Sequence, residues 1–199
     1  MNERVFPRCV SLLIACGVLL FPAGVPSADA QTGETATDAT AAPKTPIATP
    51  LNWEGSGVLV RPISDESHKI VSVKDPTVVQ HDGLWHIYAT AFSTSARTWT
   101  MVYLNFKDWS DAPQAKLTHI DVNPSLRGYH CAPHLFYFTP HKKWYLIFQS
   151  QHPQYCTTDD ISKPETWTAP KKFFRRMPAS TPRLPIDYHV ICDGTHAYL

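Results

Sequence analysis

Apolar and polar positions along this chain fall into short runs that recur as paired strands. Asp75-Pro76-Thr77-Val78-Val79-Gln80 reads as one strand, His81-Asp82-Gly83 as a turn, and Leu84-Trp85-His86-Ile87-Tyr88-Ala89 as a second strand. The pattern returns as Ala132-Pro133-His134-Leu135-Phe136-Tyr137-Phe138, a turn at Thr139-Pro140-His141, and Trp144-Tyr145-Leu146-Ile147-Phe148. It returns again as Asp187-Tyr188-His189-Val190-Ile191, a turn at Asp193-Gly194, and His196-Ala197-Tyr198-Leu199. Trp85 and Trp144 are 59 residues apart, and Trp144 and His196 are 52 apart. A second series, Trp109 in Asp108-Trp109-Ser110 and Trp167 in Thr166-Trp167-Thr168, repeats at 58.

Units of this size holding several antiparallel strands are the sequence form of β-propeller blades. An ordinary β-sandwich with chance-similar hairpins is the alternative, and two Trp series of nearly equal spacing favour the propeller. Closed propellers take about four to eight blades. Residues 51–199 hold fewer than three such units, so the expectation is an all-β, partial propeller of about two and a half blades that ends inside the third.

Upstream of the repeats the pattern changes. Arg4 and Arg8 precede a largely apolar stretch from Cys9 to Val25, and Ala28-Asp29-Ala30 offers small residues where a signal peptidase reads. Residues 1–30 are therefore expected to be a secretory signal, because Pro22, Gly24 and Pro26 would break a buried helix. Leu13-Ile14-Ala15-Cys16 also fits a lipobox, giving a lipoprotein anchored through Cys16 as the alternative, although the apolar run continues past the cysteine. Residues 31–50 are mostly Thr, Ala and Pro and read as a linker.

Composition narrows the function. Eighteen Lys and Arg against 17 Asp and Glu give a net charge of +1, which supports neither nucleic-acid binding nor a polybasic membrane surface. No apolar run reaches the roughly 18 residues of a spanning helix, so no integral membrane protein is expected. Ten histidines would make the chain clearly cationic below about pH 6. In an oxidising compartment Cys131, Cys156 and Cys192 allow one disulfide, in any of three pairings, with one thiol left over.

Candidate chemistry follows from the phase of the repeat. Asp75 and Asp187, 112 residues apart, both open an apolar first strand, where a carboxylate has no packing role. In a propeller such positions meet at one channel mouth, and paired carboxylates in a groove are what glycoside cleavage uses. They also suit turn formers that merely start a strand. His130, His134 and His141 raise the question of a metal. Strand positions four apart lie about 13 Å apart, too far to share an ion unless the segment bends. Exposed Trp99 and Tyr129 suit stacking against sugar faces.

Lys74-Asp75-Pro76-Thr77-Val78-Val79 with Gly83-Leu84-Trp85-His86-Ile87-Tyr88-Ala89-Thr90 resembles the first blade of glycoside hydrolase family 62, the secreted α-L-arabinofuranosidases. The likeness continues through Trp99-Thr100-Met101-Val102-Tyr103, Phe106-Lys107-Asp108-Trp109-Ser110, Ala132 to Phe138 and Trp144 to Gln149. It ends with Ile186-Asp187-Tyr188 and Val190-Ile191-Cys192-Asp193. The resemblance implies a five-bladed propeller that removes arabinofuranosyl branches from arabinoxylan or arabinan with inversion, acting as a monomer. It makes Asp75 the general base, Asp187 the residue that positions the general acid and raises its pKa, and Lys74 a wall of the arabinose pocket. It implies no required cofactor; His134 is placed beside a channel where the family holds a structural calcium ion.

The general acid, a glutamate, is implied in a later blade. Glu54, Glu66 and Glu165 are out of phase with the repeat and do not replace it. Where the family shows Gly-Tyr-Arg-Ala-Ala-Pro-Gln, this chain has Gly128-Tyr129-His130-Cys131-Ala132-Pro133-His134, so His130 stands in for a bidentate donor among the substrate contacts. Two other classes compete: a non-catalytic carbohydrate-binding protein or inactive remnant, and a metal-dependent hydrolase built on the histidines. Limited proteolysis of the secreted protein is expected to cut first between Gln31 and Pro50; protection of that segment would show that the linker reading is wrong.

Overall fold

The computed structural model describes residue 50 and residues 53–176 and 186–199. The expected signal and linker, residues 1–49, lie outside the described residues. The chain divides into a unit ending at Asn52 and a unit from Trp53 to Leu199, and the second carries all the elements below.

Four strands, β1 (Ile70–His81), β2 (Leu84–Ser93), β3 (Thr98–Phe106) and β4 (Thr118–His119), form an antiparallel sheet in that order. β5 (Cys131–Phe138), β6 (Lys143–Gln149), β7 (Pro153–Thr158) and β8 (Lys171–Lys172) repeat the same meander. A two-stranded sheet of β9 (Ile191–Cys192) and β10 (Ala197–Tyr198) follows. Asp82 and Gly83 both hold positive φ, 48° and 75°, the conformation of a two-residue type I′ turn that matches strand twist. Trp85 and Trp144 each occupy the second position of the second strand in their sheet, as the repeat requires.

Period-two alternation assigns the apolar residues to separate layers. Ile87, Ala89 and Ala91 on β2 join Val102, Leu104 and Phe106 on β3 in one cluster on the outer face of the first blade. The intervening Tyr88, Met101 and Tyr103 face the other way, into a core shared with Leu135, Trp144, Leu146, Phe148 and Cys156 of the second blade. On β6, Ile147 lies between these residues in sequence and packs instead on Tyr188 and Val190. Each blade is thus buried on both faces, which is why its central strand reads as an almost unbroken apolar run.

Two polar links register the blades. Tyr88, fully buried, donates its hydroxyl to the Ile161 carbonyl at 2.8 Å and accepts from Trp167 Nε1 at 3.0 Å. Trp167 therefore belongs to the interblade core. Its sequence counterpart Trp109 is 40% exposed and rests on Trp85 and Phe106. The Trp109/Trp167 repeat holds in position, after the third strand and in or beside a 3₁₀ turn, and not in environment.

Two expectations need correction. The third hairpin was expected to begin a strand at Asp187, but regular pairing starts only at Ile191, whose partner is Tyr198. The Val190 carbonyl lies 3.1 Å from His134 Nε2, within hydrogen-bonding distance of a side chain of the second blade. The expected disulfide is absent, and all three cysteines are free. They occupy different layers: Cys131 opens β5, Cys156 is sealed in the interblade core 3.9 Å from the Leu146 carbonyl, and Cys192 lies on β9.

Tyr88→Phe strands the Ile161 carbonyl and the Trp167 indole N–H in a dry core, so urea unfolding is expected to show a loss of about 1–3 kcal/mol. An unchanged midpoint would remove this pair from the blade interface. Burial pushes the Cys131, Cys156 and Cys192 thiols up from their ordinary range. Because the thiolate is the nucleophile, alkylation of the native protein at pH 7.5 is expected to be slow, with half-buried Cys192 labelled first. Denaturation should then expose all three thiols; a mass two hydrogens short would reveal a disulfide.

Candidate active site

The site is built from one backbone feature used three times. Asp75, Ala132 and Asp187 all hold left-handed backbone, with φ of 50°, 49° and 58°. In the first blade Lys74 pairs with Thr90 and Thr77 with Tyr88, so Asp75 and Pro76 together oppose Ala89. In the second, Cys131 pairs with Gln149 and His134 with Ile147, so Ala132 and Pro133 together oppose Phe148. These are equivalent β-bulges, devices that bend a strand and re-aim a side chain beside a functional site. Left-handed conformation in a non-glycine residue costs on the order of 1–3 kcal/mol and persists only where the surroundings impose it. Here two buried threonines do so: Ala132 N–H donates to Thr90 Oγ1 at 2.7 Å, and Leu135 N–H donates to Thr77 Oγ1 at 3.0 Å.

Asp75, on the first bulge, and Asp187, in the same left-handed conformation ahead of β9, both border two adjoining hollows. The larger, about 390 Å³, is lined by Asp75, Thr77, Ala132, His134, Asp187 and His189, among others. The smaller, about 200 Å³, is lined by Lys74, Asp75, Trp99, Tyr129, Cys131, Ala132, Gln149, Ile186 and Asp187. Both carboxylates border both hollows, and no other carboxylate of the described residues lines either.

The smaller hollow has a charged and aromatic wall. Lys74 Nζ lies 2.9 Å from Asp75 Oδ2 and 4.8 Å above the centre of the Trp99 ring. Asp75 raises the Lys74 pKa chiefly through this contact, so the ammonium stays charged at any pH the protein meets. Both partners are partly exposed, which makes the pair a positioning device more than a source of stability. The ammonium approaches Oδ2 off the hydrogen-bonding direction. Shielded from solvent, Oδ2 thus has charge compensation while its lone pairs stay without a well-aimed donor. Opposite, the Tyr129 hydroxyl receives hydrogen bonds from Gln149 Nε2 at 2.9 Å and from Cys131 Sγ at 3.3 Å, which fixes the ring at the rim.

The sequence candidates Lys74, Asp75, Trp99, Tyr129 and Asp187 therefore meet in one place. His134 lines the larger hollow, in contact with the His189 ring at 4.1 Å and with its Nε2 at the Val190 carbonyl. His130 does not reach either hollow. It is 7% exposed, with its ring edge-on to Phe148 at 4.9 Å and its backbone N–H on the Trp99 carbonyl. A neutral imidazole fits this apolar seat, and burial lowers its pKa accordingly. His130, His134 and His141, too far apart along a strand to share an ion, do not converge: His141 hydrogen-bonds the Tyr145 hydroxyl. Calcium takes six to eight oxygen ligands, and His134 offers one ring nitrogen already set against a carbonyl, so its side chain is a poor fit as a calcium ligand. Cys131 and Gln149 were missed by sequence reasoning. Their signal was register, since Cys131 directly precedes the bulge and Gln149 is its cross-strand partner.

Residues 52–199 match the family described as glycosyl hydrolase family 62. The chain is 41% identical over 150 residues to α-L-arabinofuranosidase C of Cellvibrio japonicus (strain Ueda107), covering 75% of this chain and 22% of that protein. Among solved structures it is similar to the catalytic domain of the family 62 α-L-arabinofuranosidase of Coprinopsis cinerea, at 40% identity and a TM-score of 0.62, over 69% of this chain and 44% of the other. It is also similar to an α-L-arabinofuranosidase of Podospora anserina in complex with cellotriose, at 41% identity and a TM-score of 0.54, over 59% and 36% of the two chains. A family 62 hydrolase in complex with xylotriose matches at 42% identity and a TM-score of 0.55, over 59% and 35%. The chain thus spans less than half the length of these relatives, whose family adopts a five-bladed β-propeller. By its matched residues and by the two blades they build, the chain belongs to glycosyl hydrolase family 62.

Proposed function

We propose that this chain supplies the arabinofuranose-binding part of a secreted, inverting α-L-arabinofuranosidase, with Asp75 as the general base. The observation that carries the reading is that Asp75 and Asp187, both in left-handed backbone, border the same pair of hollows. In this reading a water on the Asp75 carboxylate loses its proton to it while attacking the anomeric carbon, and Lys74 at the shielded Oδ2 offsets the carboxylate's charge. Asp187 acts through the proton donor, holding it in place and keeping it protonated by its own negative charge. Trp99 and Tyr129 flank the smaller hollow, sized for one sugar ring, and give it apolar faces. The relatives solved with cellotriose and xylotriose support a β-linked backbone lying across the rim, as in arabinoxylan; arabinan, whose backbone is α-linked, is the alternative branched substrate.

Glu54, Glu66 and Glu165 line neither hollow, so the proton donor is assigned to none of them. The 199 residues alone are therefore expected to bind arabinose-substituted xylo-oligosaccharide and to release little arabinose. That is the behaviour of the carbohydrate-binding alternative.

The deciding assay follows arabinose release from arabinoxylan by three proteins: this chain, a catalytic domain extended to the length of the relatives, and its Asp75→Ala form. The extended domain is expected to be active and to lose about 10²- to 10⁴-fold on Asp75→Ala, with oligosaccharide binding retained. An extended domain indifferent to Asp75 would overturn the assignment of the base.

A further inference from the structure

A second cluster of chemistry-bearing side chains lies outside the two hollows. Asp65 and His68 belong to the segment that leads into β1, His119 ends β4, and Asp121 follows in the 3₁₀ turn Ile120–Val122. His68 Nδ1 lies 3.0 Å from both carboxylate oxygens of Asp65, and His119 Nε2 lies 3.6 Å from Asp65 Oδ2. One ligand atom from each of Asp65, His68 and His119 falls within 4.8 Å of the other two. We propose that Asp65, His68 and His119 form a binding site for a divalent transition ion of the zinc class, with a water as fourth ligand.

Three features carry the proposal. The separations from the Asp65 carboxylate to the two imidazoles, 3.0 and 3.6 Å, match the edges of a tetrahedral shell whose Zn–N and Zn–O bonds are roughly 2.0–2.2 Å long. The donor set, two imidazoles and a carboxylate, is the borderline nitrogen and oxygen mixture that zinc-class ions prefer, whereas calcium and magnesium want oxygens throughout. The outer shell is also in place. His68 Nε2 lies 3.0 Å from Asp121 Oδ2 and donates its N–H there, while without an ion Nδ1 faces the Asp65 carboxylate as a second donor, whose proton a bound ion would displace. A carboxylate behind a ligating histidine is the usual way of fixing its tautomer and ring direction.

The surroundings suit a cation. His119 is 6% exposed, and its Nδ1 has no hydrogen-bond partner among the described residues. Lys69, the adjacent cation, sends its Nζ to the Asp65 backbone carbonyl, so the carboxylate faces the two imidazoles and the backbone N–H groups of Ser67 and His68, with no lysine or arginine of the described residues on it. The two rings stack in parallel with centroids 3.7 Å apart, so capture of an ion requires one of them to turn about its Cβ–Cγ bond. The ion would staple the lead-in to the outer strand of the first blade. The lead-in is already tied to the β2–β3 turn, where Ser95 Oγ donates to the Ser67 carbonyl and accepts from Lys69 N–H. β3 begins just past that turn and carries Trp99.

The test is zinc titration of the untagged 199-residue protein after chelation and dialysis, followed by calorimetry and by the absorption of a cobalt-substituted sample. The expected result is one ion per chain, a raised melting temperature and a tetrahedral cobalt spectrum. Asp65→Asn should weaken binding by about 100-fold or more, and Asp121→Asn by about 10- to 100-fold through the outer shell. His141→Ala, which removes an exposed histidine elsewhere, should leave it unchanged. Because His119 is buried and its variants risk the fold, the two aspartate variants carry the decision. Less than a tenth of an ion per chain, or binding equal in the parent, Asp65→Asn and Asp121→Asn proteins, would overturn the site.

Discussion

The structure turns on a backbone conformation that its residues do not favour. Asp75 and Ala132 sit in left-handed geometry directly before a proline, with Asp187 in the same conformation in the third unit. The hydroxyls of Thr77 and Thr90 hold the second of these bulges from the neighbouring blade by accepting the N–H groups of Leu135 and Ala132. A buried N–H without a partner costs about 1–3 kcal/mol, comparable to the strain at one bulge. The packing of one blade against the next therefore holds the bulge at Ala132, which lines both hollows beside the two carboxylates. Site geometry and blade registration are one problem, solved by the same four groups.

This coupling explains which parts were legible in the sequence. The hairpins, the turn at Asp82-Gly83 and the equivalence of Trp85 and Trp144 rest on local pattern and survive in the structure. The phase of Asp75 and Asp187 was legible too, because a carboxylate that opens an apolar strand stands out against its surroundings. The left-handed backbone at Asp75 and Ala132 was not, since aspartate and alanine before proline ordinarily read as extended. The strand expected at Asp187 failed because that residue is left-handed and regular pairing begins only at Ile191, which sequence alternation does not register.

Side chains whose role depends on burial were misjudged in both directions. His130, read as standing in for a substrate-binding donor, turns inward onto Phe148, because its backbone N–H is taken by the Trp99 carbonyl. Cys131, one of three cysteines open to disulfide pairing, is instead a wall of the smaller hollow and hydrogen-bonds to Tyr129. The histidines considered for a metal were close in sequence, whereas the pair that stacks, His68 and His119, is brought together by the lead-in crossing to the last strand of its blade. Contacts between a lead-in and an outer strand leave no periodic trace, so no reading of spacing would have found them.

The middle bulge shows how a repeated geometry becomes a site. Three equivalent positions face the same region, and two carry carboxylates while the third carries the methyl group of Ala132. A third carboxylate would add like charge beside Asp75 and Asp187. It would also fill the space that Ala132 leaves open between the two hollows. The short side chain at the strained position keeps that space open between Asp75 and Trp99 on one side and Tyr129 and Gln149 on the other. Repetition thus supplies the positions, and the departure from repetition at Ala132 supplies the pocket.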